Sequence, residues 1–275
     1  MKVTLIYAYW SNQPFEMTWC DLPWALRDAG LPKRLHHDGH DVRETIVVCE
    51  ESFPEELRSG FILAGKVAEE VKTARDNGEL PVILCGSCAV AALAAVAGMN
   101  SEQVGVAWFD THPDLNTPET TTSGLFEGMA LAVAAGLAWY GMSRKHAGLS
   151  CPVSLANVAF YGTRQVEDAE QALIDMHQIP KATTAVEINE RLSNVKQVYI
   201  HLDMDVHDSL SVRTNTFSAP DGPTVGEVRE VLVGVEGVAA LAITGLDPAA
   251  ADTATASRIA IEHVLAIAGA LDDLA

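Results

Sequence analysis

Basic residues are scarce in this chain of 275 residues. Lysine and arginine number 18 against 37 aspartates and glutamates, which gives a formal charge of −19 at pH 7. Nucleic-acid binding requires a basic surface, so this composition argues against a nucleic-acid partner. The excess of acid is typical of a solvated surface, and bound metal would neutralise part of it.

Long apolar runs and a secretory signal are also lacking. No uninterrupted apolar stretch has the length of a membrane span, and no signal pattern precedes a cleavage site. The five cysteines are odd in number and scattered, which suggests reduced thiols. We therefore expect a cytoplasmic protein with no membrane partner.

Strand-like and helix-like segments alternate along the chain. Apolar spacing predicts a helix over residues 55–77, a buried strand over 81–84 and an alanine-rich helix over 88–99. Further expected strands cover 3–7, 104–109, 158–161, 198–202 and 239–245, and further helices cover 124–139, 168–176, 225–232 and 253–271. This alternation predicts one α/β domain over residues 1–275, with a largely parallel sheet and helices on both faces.

Two clusters of acidic residues directly follow predicted strands. The first contains Asp110, His112 and Asp114, and the second contains Asp203 and Asp205. Alternate side chains of a strand point the same way, and ligands bind outside the carboxyl ends of parallel strands. Four carboxylates and one imidazole side by side are very costly without a cation. We therefore expect a site for two hard divalent ions such as Mn²⁺ or Mg²⁺, which can generate hydroxide near neutral pH.

Three histidines, His36, His37 and His40, lie in the least regular part of the chain, residues 10–54. Their closeness invites a metal interpretation. Their spacing fits a loop, neighbouring side chains point apart, and no acidic strand end supports them. We therefore expect a structural role for these histidines.

The residues around both clusters resemble the signatures of the arginase, or ureohydrolase, family. Residues 110–118 read Asp-Thr-His-Pro-Asp-Leu-Asn-Thr-Pro, and residues 201–206 read His-Leu-Asp-Met-Asp-Val. The resemblance extends from the strand near residue 82 to the terminal helix. It implies a three-layer α-β-α sandwich around a parallel, eight-stranded sheet. It also implies hydrolysis of guanidino or formimino groups at a binuclear manganese centre, in a trimeric or hexameric homo-oligomer.

The same resemblance implies roles for the clustered residues. Asp110 and Asp203 would bridge two Mn²⁺ ions, and His112 and Asp205 would complete the ligands of one of them. Asp114 would help to bind the other ion and take part in catalysis.

A further set of residues resembles the part of arginases that holds the amino-acid end of the substrate. Asn116, Thr121 and Ser123 fall where the substrate α-carboxylate is held. Glu167 falls where an acidic residue faces the α-amino group, and Glu170 also falls on an acidic family position. The expected partner is therefore a small guanidino amino acid.

Four positions depart from the family pattern. Cys88 replaces the histidine that is the first metal ligand, and Glu127 replaces a loop histidine that assists proton transfer. Gly245 replaces the glutamate that pairs with the guanidinium group, and Leu125 replaces an asparagine. A thiolate binds Mn²⁺ less well than imidazole does, so the ion at Cys88 could be weak, absent or another divalent metal. Loss of the guanidinium partner predicts that unmodified arginine is a poor substrate.

Three interpretations compete. In the first, metal-bound hydroxide attacks the guanidino carbon of an altered amino acid such as Nω-hydroxy-L-arginine, and Glu127 relays a proton. The products would be urea or hydroxyurea and an amine such as ornithine. In the second, the chain is a degenerate relative that binds an amino acid as a regulatory subunit. In the third, Cys85 and Cys88 form a redox pair at a helix N-terminus. Survival of all five strand-end ligands favours the hydrolase.

Overall fold

The chain forms a sheet of eight parallel strands. We describe it from a computed structural model, in which residues 1–10, 18–49, 56–100, 102–250 and 252–273 are described. The strands are β1 (Lys2–Tyr9), β2 (Asp41–Val48), β3 (Leu80–Cys85), β4 (Val104–Phe109), β5 (Val158–Tyr161), β6 (Lys181–Ala182), β7 (Gln197–Asp203) and β8 (Val238–Thr244). Their spatial order is β2-β1-β3-β8-β7-β4-β5-β6, and each neighbouring pair is parallel. The predicted parallel sheet is confirmed.

Helices cover both faces of this sheet. They are α1 (Leu22–Asp28), α2 (Leu31–His37), α3 (Glu56–Asp76), α4 (Cys88–Met99), α5 (Ala130–Ala134), α6 (Tyr140–Ala147), α7 (Asp168–His177), α8 (Ala185–Arg191), α9 (Val225–Val233) and α10 (Thr253–Asp272). In β1, Ile6 and Ala8 join a buried cluster with α3 and α4, whereas Leu5 and Tyr7 join another with α9 and α10. Successive strand side chains point to opposite faces, so the clusters lie on opposite sides of the sheet. The predicted three-layer sandwich is confirmed.

The helix expected over residues 124–139 is wrong in extent. That segment contains a 3-10 turn, Glu127–Met129, followed by the five-residue α5. The helix stops before Gly136, whose φ of 73° is a conformation that side-chain-bearing residues rarely adopt. The apolar composition of this segment therefore indicated its burial but not its helix length.

Three elements within residues 10–54 were not predicted, namely α1, α2 and β2. The edge strand β2 pairs with β1 alone and leaves most of its side chains partly exposed, so its apolar signal is weak. His36 and His37 belong to the last turn of α2, so the loop prediction is wrong for them. Within the described residues, neither they nor His40 enter a group of potential metal-binding atoms.

The last helix, α10, is long and apolar enough to span a membrane by length and composition. Half of its most apolar window is nevertheless buried inside the protein. Ile259, Val264 and Ile267 pack into the cluster shared with α9, and Arg258 pairs with Glu262 on the opposite side. These features are typical of a core helix that covers a sheet.

Candidate metal centre and substrate cavity

The two acidic clusters meet because their strands are neighbours. β4 and β7 pair in parallel with Phe109 opposite Leu202, so Asp110 and Asp203 leave the same edge of the sheet side by side. The N–H of Asp110 also donates to the carbonyl of Tyr161 at the end of β5 (3.2 Å). Strand pairing thus brings together carboxylates that lie far apart in sequence.

One group of potential ligands, hereafter the first donor group, consists of Asp110, His112 and Asp205. His112 Nδ1 lies 3.4 Å from Asp110 Oδ1 and 3.3 Å from Asp205 Oδ2. Backbone groups orient both carboxylates, since the His112 N–H donates to Asp110 (2.7 Å) and the Thr111 N–H donates to Asp205 (3.2 Å). The three donor atoms lie within 4.8 Å of one another, close enough to share an ion.

The second donor group consists of Cys88, His201 and Asp203. Cys88 is the first residue of α4, and its Sγ lies 3.2 Å from Asp203 Oδ2. His201 precedes Asp203 by two residues in β7, so both side chains point to the same face of the sheet. The sequence prediction included Cys88 and Asp203 but missed His201, for which this spacing was the available signal.

Asp114 belongs to neither donor group among the described residues, although it is buried and lines the same cavity. Its φ of 50° is uncommon for a residue with a side chain. The carbonyl of Asp114 accepts the N–H groups of Leu131 (3.0 Å) and Ala132 (3.1 Å), which ties this turn to α5. Unusual backbone conformations of this kind cluster at functional sites. Its role as a ligand of the second ion stays a prediction.

Burial makes the carboxylates of the site costly to ionise together. Burial, with the charge of Asp205 adding to it, raises the pKa of Asp110 to about 7. Burial likewise raises the pKa of Asp203 and Asp114 well above the usual range. Burial would raise the pKa of Asp205, but the hydrogen bond and charge of His112 outweigh it and lower the pKa. Burial would lower the pKa of His112, but its contacts with Asp110 and Asp205 raise that pKa to about 12. A divalent cation would offset this repulsion, so the donor set fits such ions.

The two cysteines at the turn from β3 to α4 are free and buried. Burial raises the pKa of Cys85 to about 12, and burial followed by the charge of Asp203 raises the pKa of Cys88 well above its usual value. A redox-active pair needs a depressed thiol pKa. The environment therefore argues against the redox interpretation of Cys85 and Cys88.

A cavity of about 330 Å³ adjoins both donor groups and has the size of a small-molecule site. Its walls include the predicted ligands Cys88, Asp110, His112, Asp114, Asp203 and Asp205. His201 does not line the cavity but lies fully buried behind it. A larger cleft of about 570 Å³ involves α3, α4 and α6, and its walls contain none of these ligands.

Three of the four residues predicted to hold the amino-acid end of a substrate line this cavity, namely Asn116, Ser123 and Glu167. Thr121 does not line it. Its hydroxyl accepts the N–H of Gly124 (3.0 Å) and lies 3.4 Å from the Ser123 hydroxyl. Thr121 therefore contacts Ser123, and its own role in substrate binding stays a prediction.

Glu170 has a structural task in the cavity wall. One carboxylate oxygen accepts the N–H of Leu115 (3.0 Å), and the other accepts the N–H of Glu167 (3.0 Å) in a capping box at the start of α7. Burial raises the pKa of Glu170. The two bonds join α7 to the turn that follows Asp114.

Glu127 is a buried carboxylate with one oxygen held and one open. Its Oε2 accepts hydrogen bonds from Ser87 Oγ (2.9 Å) and from the Ala89 N–H (3.3 Å) at the start of α4. Its Oε1 is buried and has no hydrogen-bond partner among the described residues, and the side chain lines the cavity. Burial raises the pKa of Glu127 to about 7. The unpartnered oxygen leaves Glu127 with capacity for one further hydrogen bond.

Gly245, where the sequence predicts the loss of a guanidinium-binding glutamate, lies directly against Asp203. Its φ is 65°, and a Cβ built there would overlap the carboxylate of Asp203. The Gly245 carbonyl accepts a hydrogen bond from Asn215 Nδ2 (2.8 Å), which fixes this close approach. A carboxylate at position 245 would therefore require Asp203 to move.

Arg164 is a supporting residue that the sequence prediction did not identify. Its guanidinium donates to the backbone carbonyls of Gly162, Asp205, Val206, His207, Ala219 and Pro220. These bonds fasten the segment after β5 to the segment after β7 that carries Asp205. No local sequence pattern indicates this role, because the acceptors are main-chain groups of distant segments.

Aromatic side chains form another part of the cavity wall that was not predicted. Trp19 and Phe217 meet edge to face with ring centroids 5.7 Å apart, and Phe217 also faces the His112 ring at 6.5 Å. Gly86 allows Trp19 to come close, since a Cβ at Gly86 would overlap the Trp19 carbonyl oxygen. This wall provides an apolar surface opposite the charged groups.

Comparison with known proteins agrees with this geometry. The model of the arginase family matches residues 23–269. The arginases of Bacillus subtilis (strain 168) and Bacillus caldovelox are 32% and 30% identical over 203 and 207 residues, each covering 66% of this chain and 68% and 69% of those proteins. The crystal structure of arginase from Bacillus subtilis superposes with a TM-score of 0.88 at 22% identity, over 98% of both chains. The chain therefore belongs to the arginase family of ureohydrolases.

Proposed function

We propose that the chain hydrolyses a C–N bond of a guanidino amino acid, and that Nω-hydroxy-L-arginine is a better substrate than arginine. Water and Nω-hydroxy-L-arginine would give hydroxyurea and ornithine. The reaction type rests on family membership and on the buried donor groups. The preference for a hydroxylated guanidine rests on the end of the cavity next to Gly245 and Glu127.

The observation that carries the preference is Gly245, which lies directly against Asp203 and offers no side chain. The chain therefore lacks a carboxylate at the position where the family resemblance places a partner for the guanidinium group. Glu127 lines the cavity and has one oxygen without a hydrogen-bond partner among the described residues. Its pKa of about 7 means that it is only partly ionised near neutral pH. Such a group suits an N-hydroxyguanidine, which is less basic than arginine and can be bound uncharged.

The first donor group and Asp114 offer carboxylates and an imidazole, and the second donor group adds a thiol. We propose two divalent ions, with Mn²⁺ at Asp110, His112 and Asp205. When bound, such ions supply the positive charge that makes water nucleophilic near neutral pH and that stabilises a tetrahedral intermediate.

Glu127 is the residue that we propose to move a proton. Hydrogen bonds from Ser87 Oγ and the Ala89 N–H hold its Oε2, and its Oε1 has no hydrogen-bond partner among the described residues. In the protonated form this oxygen would donate to the departing amine nitrogen. The raised pKa keeps the protonated form populated near neutral pH.

At the other end of the cavity, Asn116 and Ser123 would bind the α-carboxylate, and Glu167 would bind the α-amino group. Thr121 would act through its contact with the Ser123 hydroxyl. The Glu167 carboxylate is itself oriented by the Thr122 hydroxyl (3.0 Å). A trimeric or hexameric assembly stays a prediction.

The test measures ornithine, urea and hydroxyurea release from Nω-hydroxy-L-arginine, arginine, agmatine and guanidinobutyrate, after metal analysis of the purified protein. Loss of one charge-assisted contact predicts a kcat/KM for arginine about 10- to 100-fold below that for Nω-hydroxy-L-arginine. Agmatine lacks the carboxylate of arginine, and guanidinobutyrate lacks the amino group and one methylene, so both should be slower than arginine.

Equal or faster turnover of arginine would refute the substrate preference. Bound metal without turnover of any of the four compounds would instead favour the amino-acid-binding subunit. A Glu167→Gln variant provides a matched control for the amino-acid end. It should slow the amino acids but leave guanidinobutyrate, which has no amino group, unchanged.

A further inference from the structure

We propose that His201 Nε2 is a metal ligand, and that Cys88, His201 and Asp203 together form a position selective for a borderline ion such as Zn²⁺. The centre would then hold two chemically different ions rather than a matched manganese pair. This inference rests on the proposed function only in that it concerns the same cavity.

The first argument is the convergence of three different donor atoms. Tyr199, His201 and Asp203 alternate along β7 and point to one face of the sheet, where α4 begins with Cys88. Cys88 Sγ lies 3.2 Å from Asp203 Oδ2, and a nitrogen of His201 lies within 4.8 Å of both. A thiol, an imidazole and a carboxylate therefore approach one point from two elements of the fold.

The second argument is the orientation of the His201 ring. Its Nδ1 lies 2.8 Å from the Tyr199 hydroxyl. Its Nε2 lies 3.3 Å from Thr244 Oγ1, which is itself 3.3 Å from Asp203 Oδ2. The His201 ring also stacks on Trp108, with 3.7 Å between the ring centroids and 5° between the ring planes. A metal-binding histidine usually holds its second nitrogen in a hydrogen bond, as Tyr199 holds Nδ1 here. Nε2 makes the longer contact, to a hydroxyl that also contacts Asp203, so it is the nitrogen that we assign to an ion.

The chemistry of the two donor groups then predicts different ions. Two carboxylates and one imidazole in the first donor group suit Mn²⁺. One sulfur, one nitrogen and one oxygen in the second donor group suit tetrahedral Zn²⁺, with a fourth position open toward the cavity. His201 thus supplies the imidazole that the change to cysteine at position 88 removed.

The test uses the full-length protein, stripped of metal by a chelator and dialysed against equal concentrations of Mn²⁺ and Zn²⁺. Elemental analysis should find one ion of each kind per chain. X-ray absorption at the zinc edge should show one sulfur at about 2.3 Å and imidazole nitrogen at about 2.0–2.1 Å. Neither measurement needs a substrate, so a failure of the proposed reaction would leave this result intact.

Variants assign the signals to residues. Cys88→Ser should remove the sulfur signal, and His201→Gln should remove the imidazole signal while the sulfur remains. His263→Gln is the matched control, because it also changes a fully buried histidine but outside the donor groups. Tyr199→Phe preserves the shape of the core, removes the hydroxyl that holds Nδ1, and should weaken Zn²⁺ binding by about 10- to 100-fold.

Several results would overturn the inference. A wild-type zinc spectrum without imidazole, or with imidazole but without sulfur, would exclude the proposed ligand set even if the His201 variant failed to fold. An imidazole signal that persists in His201→Gln would mean that His201 only supports Asp203 through Thr244. Two manganese ions with no zinc uptake would retain the proposed function and refute zinc selectivity.

Discussion

The two donor groups face the same cavity but differ in their surroundings. In the first donor group, His112 contacts both carboxylates directly, and backbone N–H groups hold Asp110 and Asp205. In the second donor group, the Asp205 N–H holds Asp203 (2.8 Å), and buried side chains add further contacts, with Tyr199 at His201 and Thr244 beside Asp203. The first donor group is therefore organised by backbone N–H groups and His112, whereas the second also depends on side chains of α4, β7 and β8.

A departure from the family pattern is expected from the sequence at Cys88 of the second donor group and at no residue of the first. Asp110 accepts the N–H of His112 from its own motif, whereas Asp205 accepts the N–H of Thr111 from the other motif. A change in the first donor group would therefore disturb contacts at both strand ends. Cys88 is instead the first residue of a helix, and its side-chain neighbour Asp203 lies on β7.

The largest effect should come from breaking the first donor group. Asp205→Asn keeps the acceptor for the Thr111 N–H but removes the charge that faces His112. If the ion held there contributes several kcal/mol to the transition state, turnover falls by roughly 10²- to 10⁴-fold. Steady-state kinetics and manganese content measure this loss. Asp208→Asn, the same change three positions later and outside the cavity lining, should retain both.

A smaller effect should follow from Glu127→Gln in the cavity wall, for which we expect kcat to fall by about a hundredfold. Burial raises the pKa of Glu127 to about 7, above its usual value. A proton donor with this pKa is active below pH 7, so its contribution disappears as the pH rises through 7. The wild-type profile of kcat should show this decline and the variant should lack it.

The control for Glu127→Gln is Glu119→Gln, which removes an exposed carboxylate from the same region of the chain. It should leave both kcat and its pH profile unchanged. An unaltered profile in Glu127→Gln would show that another group transfers the proton, and the two sides of the cavity would then differ less than we propose.

Arg164→Met tests whether the first donor group depends on its loop support. The substitution leaves backbone carbonyls of the Asp205 segment without their donor. Manganese affinity should weaken by about 10- to 100-fold, and the free energy of unfolding should fall by about 2–4 kcal/mol. Calorimetric titration and urea unfolding measure the two changes.

Arg191→Met is the matched control, because Arg191 also donates to backbone carbonyls, those of Val158, Leu155 and His177, but away from the cavity. It should lower stability without changing manganese affinity. Equal losses of affinity in both variants would mean that general destabilisation, rather than support of Asp205, controls metal binding.

Thr244→Val should give the smallest effect and test the support of the second donor group. It keeps the shape of the side chain but removes the hydroxyl 3.3 Å from Asp203 Oδ2. We expect about a tenfold loss of affinity for the ion at Cys88 and unchanged manganese at the first donor group. Competition with a zinc-binding dye measures the first quantity. Ser143→Ala removes another buried hydroxyl, which bonds to Trp139, and should change neither.

Much of the fold could be predicted from local patterns. The bounds of α4, β4 and β5 agree with the sequence prediction because these segments are apolar, short and bounded by clear end signals. The edge strand β2 was missed because its exposure weakens the apolar pattern. The length of α5 was misjudged because uniform burial removes the periodic pattern there. The local sequence pattern therefore predicts whether a segment is buried more reliably than it predicts how long its helix or strand is.

The candidate site also contains some features that the local sequence predicts and others that it does not. Spacing within one strand end was enough to predict that Asp110 and His112 act together. The overlap between Gly245 and Asp203 and the bonds of Arg164 were not predictable, because each joins segments that are distant in sequence. His201 was partly predictable, because the sequence shows its spacing to Asp203 but not its proximity to Cys88.

The sequence by itself determined the class of this protein, through strand periodicity and two acidic motifs whose spacing is meaningful within a single segment. The tertiary structure alone decided which side chains become neighbours across segments. It placed Cys88 and the Thr244 hydroxyl, which contacts His201, next to Asp203, and it brought Gly245 against the same carboxylate. It also left one oxygen of Glu127 without a hydrogen-bond partner among the described residues. The physical reason is that ligand identity depends on distances between elements, and the order of strands in the sheet, not the order of residues in the chain, sets those distances.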